Sequence, residues 1–248
     1  MFIGAGVQFG NGVQVLSDIG ATLPIVTTGL QVNLSTAPSS GTTWTDTSGN
    51  GRNATLQGTP SYVANNGGGI RLNNLNYSGT DYISLPYNIA SNTVSVELVA
   101  SFNPTTNWAT IWGNETYSAN SGYYAYMITS TGITWGKPPG PTTATITASN
   151  SIRHWIFVIN GANQLLYLNG SQLGTTYVGV ANNSFVTTDF YFGARHANGG
   201  GTLTGTDKMN NSNSSLYPVF YQMRIYNTAL SAADVSQNYN AVRGTYGI

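Results

Sequence analysis

From Leu30 onward, apolar residues come in short runs or at every second position, separated by clusters of Gly, Asn, Ser and Thr. That period belongs to strands. The segments read as strands are Leu30–Leu34, Gly69–Leu72, Tyr82–Leu85, Thr93–Phe102, Ala109–Trp112, Tyr123–Thr129, Gly132–Trp135, Ala144–Thr147, Trp155–Asn160, Gln164–Leu168, Phe190–Ala194 and Val219–Tyr226. Trp155–Ile159 is apolar on both faces, as a central strand is, and Leu165–Leu168 runs into Asn169-Gly170, a tight hairpin turn. One helix is predicted over Leu230–Val242, with Ser231 as N-cap, Asp234 at the positive end of the dipole and Gly244 as its stop. The pattern defines an all-β protein, a two-sheet antiparallel jelly-roll sandwich with an N-terminal β-arm and one short C-terminal helix.

The first residues read differently. Val7-Gln8 and Val13-Gln14 echo each other around Gly10-Asn11-Gly12, the signature of a hairpin, and Asp18 is the single charge before residue 30. Its apolar side chains, among them Phe2, Ile3, Val7, Phe9, Val13, Val15 and Leu16, exceed what one hairpin can hide, and an isolated hairpin is marginal in water. The expected division is therefore a docking arm over 1–29, using those seven residues for contacts with another chain, and a sandwich over 30–248.

Composition narrows the function. Of 248 residues only 6% are charged, with 8 basic and 8 acidic side chains, so the basic stripe of a nucleic-acid binder is missing. An electrostatic membrane surface is excluded by the same scarcity. Aromatic residues make up 12% and hydrophobic residues 40%, enough for a core. There is no cysteine, hence no disulfide and no thiolate site. The N-terminus lacks the cationic and apolar regions of a signal peptide, and no run is long enough to span a membrane, so neither is expected.

Five motifs then fall in a meaningful order. Asp46-Thr47-Ser48-Gly49-Asn50-Gly51-Arg52-Asn53-Ala54-Thr55-Leu56 resembles the opening motif of the concanavalin A-like, laminin-G-like (LamG-type) jelly rolls. Gly69–Leu72 with Asp81-Tyr82-Ile83, Trp155–Asn160 with Leu166-Tyr167-Leu168-Asn169-Gly170, Phe190–Arg195, and Met223–Val235 resemble the later motifs of that family. Asp234 stands where the family has Glu, and Thr228 where it has Arg. The tail Asn238–Gly247 and the Gly-rich leader resemble virion structural proteins of tailed bacteriophages, capsid-decoration or tail accessory modules. That resemblance implies a virion protein assembled in the host cytoplasm.

Candidate chemistry is sparse. Sandwich glycosidases need two carboxyl groups flanking the bond. The two glutamates, Glu97 and Glu115, are spaced unlike such a pair, and both are expected to face solvent. His154 and His196 have no nucleophile in a supporting context. Asp46, Asn50, Asp81 and Asp189 could offer oxygens to calcium, but no loop of known spacing joins them, so no metal or other cofactor is expected. Asp46 is instead read as ordering its own turn. Sugar contacts would come from aromatic platforms beside polar loops, where Trp112, Tyr123 and Tyr124 are the candidates, with Trp108 and Tyr117 nearby.

The leading expectation is a non-enzymatic virion structural protein that decorates a capsid through its arm. Other virion proteins and further copies of itself, as a trimer, would be its partners. The alternative is a carbohydrate-binding module of a tail fibre or adhesin, whose partner is a host-surface glycan.

Overall fold

The computed structural model describes residues 23–74, 80–102, 109–114, 122–129, 131–136, 142–147, 149–178, 189–194 and 217–248. Two antiparallel sheets face each other. Sheet A runs in the order β14 (Ser171–Val178), β13 (Asn163–Leu168), β12 (Arg153–Asn160), β7 (Thr93–Ser101), β16 (Val219–Tyr226), β5 (Gly69–Arg71) and β4 (Ser61–Val63). In addition β1 (Leu30–Leu34) pairs with the C-terminal half of β16, Leu30 facing Tyr226 and Leu34 facing Met223. Sheet B runs β11 (Thr142–Thr145), β10 (Gly132–Gly136), β9 (Tyr124–Thr129), β8 (Ala109–Gly113), β15 (Phe190–Phe192), β6 (Tyr82–Leu85), β3 (Ala54–Gln57) and β2 (Thr43–Trp44). The predicted jelly-roll-like β-sandwich is what forms.

Alternation explains the core between the sheets. Val94, Val96, Leu98 and Ala100 of β7 point inward beside Trp155, Phe157 and Ile159 of β12, and sheet B answers with Trp112, Met127, Ile133, Trp135, Phe190 and Phe192. Trp112 stacks on Phe190 at 5.5 Å and meets Phe157 edge-on at 5.4 Å, so one indole ties the two sheets together.

The other face of sheet A is roofed by α1 (Ala232–Tyr246). Ser231 caps it in a full capping box, with the Asp234 carboxylate accepting from the Ser231 backbone N–H at 2.8 Å and the Asp234 N–H donating back to the Ser231 hydroxyl. The helix passes through Gly244, the expected stop, and ends one turn later because Gly247 adopts the left-handed conformation that a C-cap needs. No helix among the described residues is long and apolar enough to cross a membrane.

The hairpin between β13 and β14 turns on Asn169 and Gly170, both at positive φ, as the Asn-Gly pair implied. The Asp46 turn also follows its sequence: the carboxylate accepts from the backbone N–H of Asn33, Ser48 and Arg52, and from the Ser48 hydroxyl. Burial by itself would raise this carboxyl, but the convergent donors hold it below the ordinary range.

At the N-terminal side, residues 24–26 already lie against α1. Val26 N–H donates to Asn238 Oδ1 at 2.8 Å and Gln237 donates to the Pro24 carbonyl at 2.7 Å. The seven apolar arm residues, Phe2 to Leu16, lie outside the described residues.

Candidate functional site

Among the described residues, four of the sixteen strands are not announced by the pattern, and one of them, β14, helps to wall a cleft. It is the edge strand of sheet A, and its eight residues are almost all exposed. Across the sandwich edge stands β11, the edge of sheet B. Between the two lies a cleft of about 520 Å³, walled by Thr143–Thr145 on one side and Leu173–Val178 on the other, with Trp135 also in its lining. That volume falls in the range of small-ligand pockets.

An irregular ladder shapes this cleft. Leu166 pairs with Leu173 and Gln164 with Tyr177, so Leu165 alone is matched by Gly174, Thr175 and Thr176. Such an excess bulges the strand and re-aims its side chains. Gly174 supplies the positive φ that the bend requires. Tyr177 is left 38% exposed and lines the cleft with Thr175 and Thr176, while Thr143 and Thr145 are exposed on β11. Behind them Trp135 is buried, its ring edge-on to Phe157, and the next residue, Gly136, leaves room for the Gln164 side chain, which any Cβ there would strike. The opposite flank of the sandwich is bridged, because the Tyr62 hydroxyl of β4 donates to the Gly41 carbonyl just before β2.

The three aromatic residues expected to touch sugar are placed elsewhere. Trp112 and Tyr123 are fully buried, and Tyr124, 7% exposed, stacks on Tyr126 at 4.3 Å. Rings committed to the core cannot offer a face to a ligand, so this expectation is corrected. Trp108 and Tyr117 lie outside the described residues.

Glu97 is the second correction. Alternation does put it on the outer face of β7, but α1 covers that face and the carboxylate is 1% exposed. Arg224 Nη1 donates to Oε1 at 2.5 Å and His154 Nε2 to the same oxygen at 2.9 Å. Oε2 accepts from the Tyr226 hydroxyl at 3.1 Å and from Asn238 Nδ2 at 2.8 Å. Burial alone would raise this carboxyl; the Arg224 guanidinium and the surrounding donors outweigh it and bring it down to about 2. The same burial, with the neighbouring carboxylate, pushes the Tyr226 phenol up. This is an internal ion pair with no route to a substrate. Glu115 and His196 lie outside the described residues.

Three of the four calcium candidates, Asp46, Asn50 and Asp81, are engaged by backbone groups, while Asp189 is exposed just before β15. Besides Asp46, Asp81 accepts from the backbone N–H of Thr59 and Asn73, and the Asn50 amide donates to the carbonyls of Leu30 and Gln31. Among the described residues no three metal-ligating acidic or histidine side chains converge. Among its described lining residues the cleft has no carboxylate and no histidine.

No protein-family model matches the chain, and no curated protein matches its sequence. Solved structures do resemble its fold. One is a structure of botulinum neurotoxin type C concerned with the dependence of cell entry on two ganglioside molecules, with a TM-score of 0.65 at 13% identity, covering 86% of this chain and 51% of that one. The binding domain of Paraclostridial Mosquitocidal Protein 1 gives 0.64 at 17% identity, covering 86% and 52%. The receptor-binding domain of botulinum neurotoxin type G gives 0.62 at 15% identity, covering 86% and 51%. The chain spans about half the length of these neighbours. They share its fold, a jelly-roll-like β-sandwich, and at such identities the likeness is one of fold alone.

Proposed function

We propose that this chain is a non-enzymatic carbohydrate-binding module that takes a saccharide in the cleft between β11 and β14. The observation that carries the reading is the pairing of a partly exposed Tyr177 with threonines on both walls of a cleft of about 520 Å³. An aromatic face packs against the C–H side of a sugar ring while hydroxyls meet its O–H groups. Supporting it, neighbours of the same fold are receptor-binding domains, and individual structures among them concern ganglioside molecules or a complex with SialylT. Tyr177→Ala is expected to weaken glycan binding about tenfold, a loss of about 1.4 kcal/mol, with thermal unfolding unchanged. Calorimetric titration of wild type and variant checks this; equal affinities would remove the cleft from the binding role.

A second reading adds the setting. The module would be held on a virion, as a capsid decoration, through the arm over 1–29, with other virion proteins or further copies of itself as partners. What favours it is that Leu23, at the head of the described chain, stands 65% exposed while Pro24 and Val26 are fixed to α1, so the arm departs from an anchored point. Deleting residues 2–22 is expected to abolish incorporation into particles while leaving glycan binding intact. Incorporation at wild-type levels would sink this reading.

A further inference from the structure

We infer that the cleft reads its saccharide through the main chain of β11: the outward N–H and C=O groups of Thr143 and Thr145 bond a vicinal diol, two hydroxyls on neighbouring ring carbons. This rests on the carbohydrate-binding reading above and names the ligand feature and the groups that meet it.

The ladder sets where those groups point. Ile146 N–H donates to the Thr131 carbonyl at 2.8 Å, and the same register places Gly132 opposite Thr145, Ile133 opposite Ala144 and Thr134 opposite Thr143. In an antiparallel pair, opposed residues alternate between exchanging both bonds and turning both groups away. Thr131–Ile146 and Ile133–Ala144 are therefore the bonded pairs, and Thr143 and Thr145 turn their N–H and C=O away from β10. β11 ends sheet B, so those groups face its outer edge, and Thr143–Thr145 wall the cleft.

The faces of the strand agree. Ala144 packs against the core between the sheets, so by alternation the Thr143 and Thr145 side chains stand on the opposite face, and both residues are exposed. What these two residues bring to the cleft is strand edge. The other wall does not offer the same groups: β14 leaves its ladder over Gly174–Thr176, and the Gly174 carbonyl already accepts from Gln172 Nε2 at 3.3 Å.

Chemistry then selects the ligand. The N–H and C=O of one extended residue point the same way, a donor beside an acceptor. A hydroxyl both donates and accepts, so two neighbouring hydroxyls match the pair, one oxygen accepting from the N–H and the other O–H donating to the carbonyl. Thr143 and Thr145 repeat this pair at a spacing of about 7 Å along the strand.

The test uses the full chain, isotope-labelled for NMR, with lactose, cellotriose and mannotriose as probes and the per-O-methylated form of the strongest binder as the probe without hydroxyl donors. Calorimetry gives affinities, and backbone amide resonances report the contacts. The expected result is binding by at least one probe with shifts of the Thr143 and Thr145 amides, and no binding of its methylated form. Thr145→Val keeps the N–H and loses the hydroxyl, so it is expected to bind within about twofold of wild type. Thr145→Pro loses an N–H that the β10 ladder does not use, and is expected to bind about tenfold more weakly. Amide exchange at Ile133 and Ala144 shows whether the ladder survives the proline; if it does not, slowed exchange of the Thr145 N–H in the wild-type complex decides instead. Binding that leaves both amides unmoved, or that Thr145→Val weakens as much as Thr145→Pro, would overturn the main-chain contact while leaving the carbohydrate reading in place. Equal affinity for the methylated form would overturn the diol. Absence of binding by every probe up to millimolar concentrations would overturn both this inference and the reading beneath it.

Discussion

Glu97→Gln is expected to destabilise the fold by about 3–5 kcal/mol, because it leaves the Arg224 guanidinium buried without its counter-charge. The carboxylate is the hub of a cluster that joins four elements: β7 supplies it, β12 brings His154, β16 brings Arg224 and Tyr226, and α1 brings Asn238. Glutamine keeps the size and one acceptor oxygen, so the loss isolates the charge and the second acceptor. Urea denaturation measures it, and a loss below 1 kcal/mol would show that the pair contributes little. Arg224→Met added to Glu97→Gln is expected to recover part of the stability, since the unpaired cation is then gone.

The same residue fixes an acid limit. Its carboxyl titrates at about 2 in the folded protein, below the ordinary value of 4.5. A depressed folded value means that the stabilisation is complete above the ordinary value and drains away as pH falls from about 4.5 toward 2. The wild type should therefore lose stability across that window more steeply than Glu97→Gln does. Parallel slopes would contradict the assignment.

Trp112→Ala carries the other large effect, a loss of about 3–5 kcal/mol by thermal or chemical denaturation. The indole fills the space between Phe190 of its own sheet and Phe157 of the facing one, and alanine would leave a void that two sheets cannot close. Tyr177→Ala, by contrast, should fall within about 0.5 kcal/mol of wild type, as exposed substitutions do. If Trp112→Ala left stability unchanged, the indole would not be the tie between the sheets. Any drop in glycan binding by Trp112→Ala is accordingly expected to track the unfolded fraction and not the site.

What was legible in the sequence follows from burial. Strands buried on at least one face, such as Thr93–Ser101 and Trp155–Asn160, announce themselves by apolar content, and the Asn169-Gly170 and Asp46–Arg52 turns by residues that tolerate positive φ or accept backbone donors. β14 has neither signal. Its side chains face water, so Ser171–Val178 shows no apolar period, and only the hairpin turn before it implies a returning partner strand. The cleft was missed with it. Glu97 misled for a different reason: period two fixes the face of a strand, but whether that face is wet depends on a helix more than a hundred residues further on.

The placement of β1 also has a mechanical meaning. Leu30, where the chain enters sheet A, is directly opposite Tyr226, where β16 leaves it for the helix. A tension drawn in through the N-terminal segment and out through α1 therefore pulls on adjacent ends of an antiparallel pair, so their ladder opens rung by rung like a zipper and is never sheared all at once. Resistance then comes from the Val26–Asn238 and Asn238–Glu97 bonds that stitch the entering strand, the helix and the sheet at that corner.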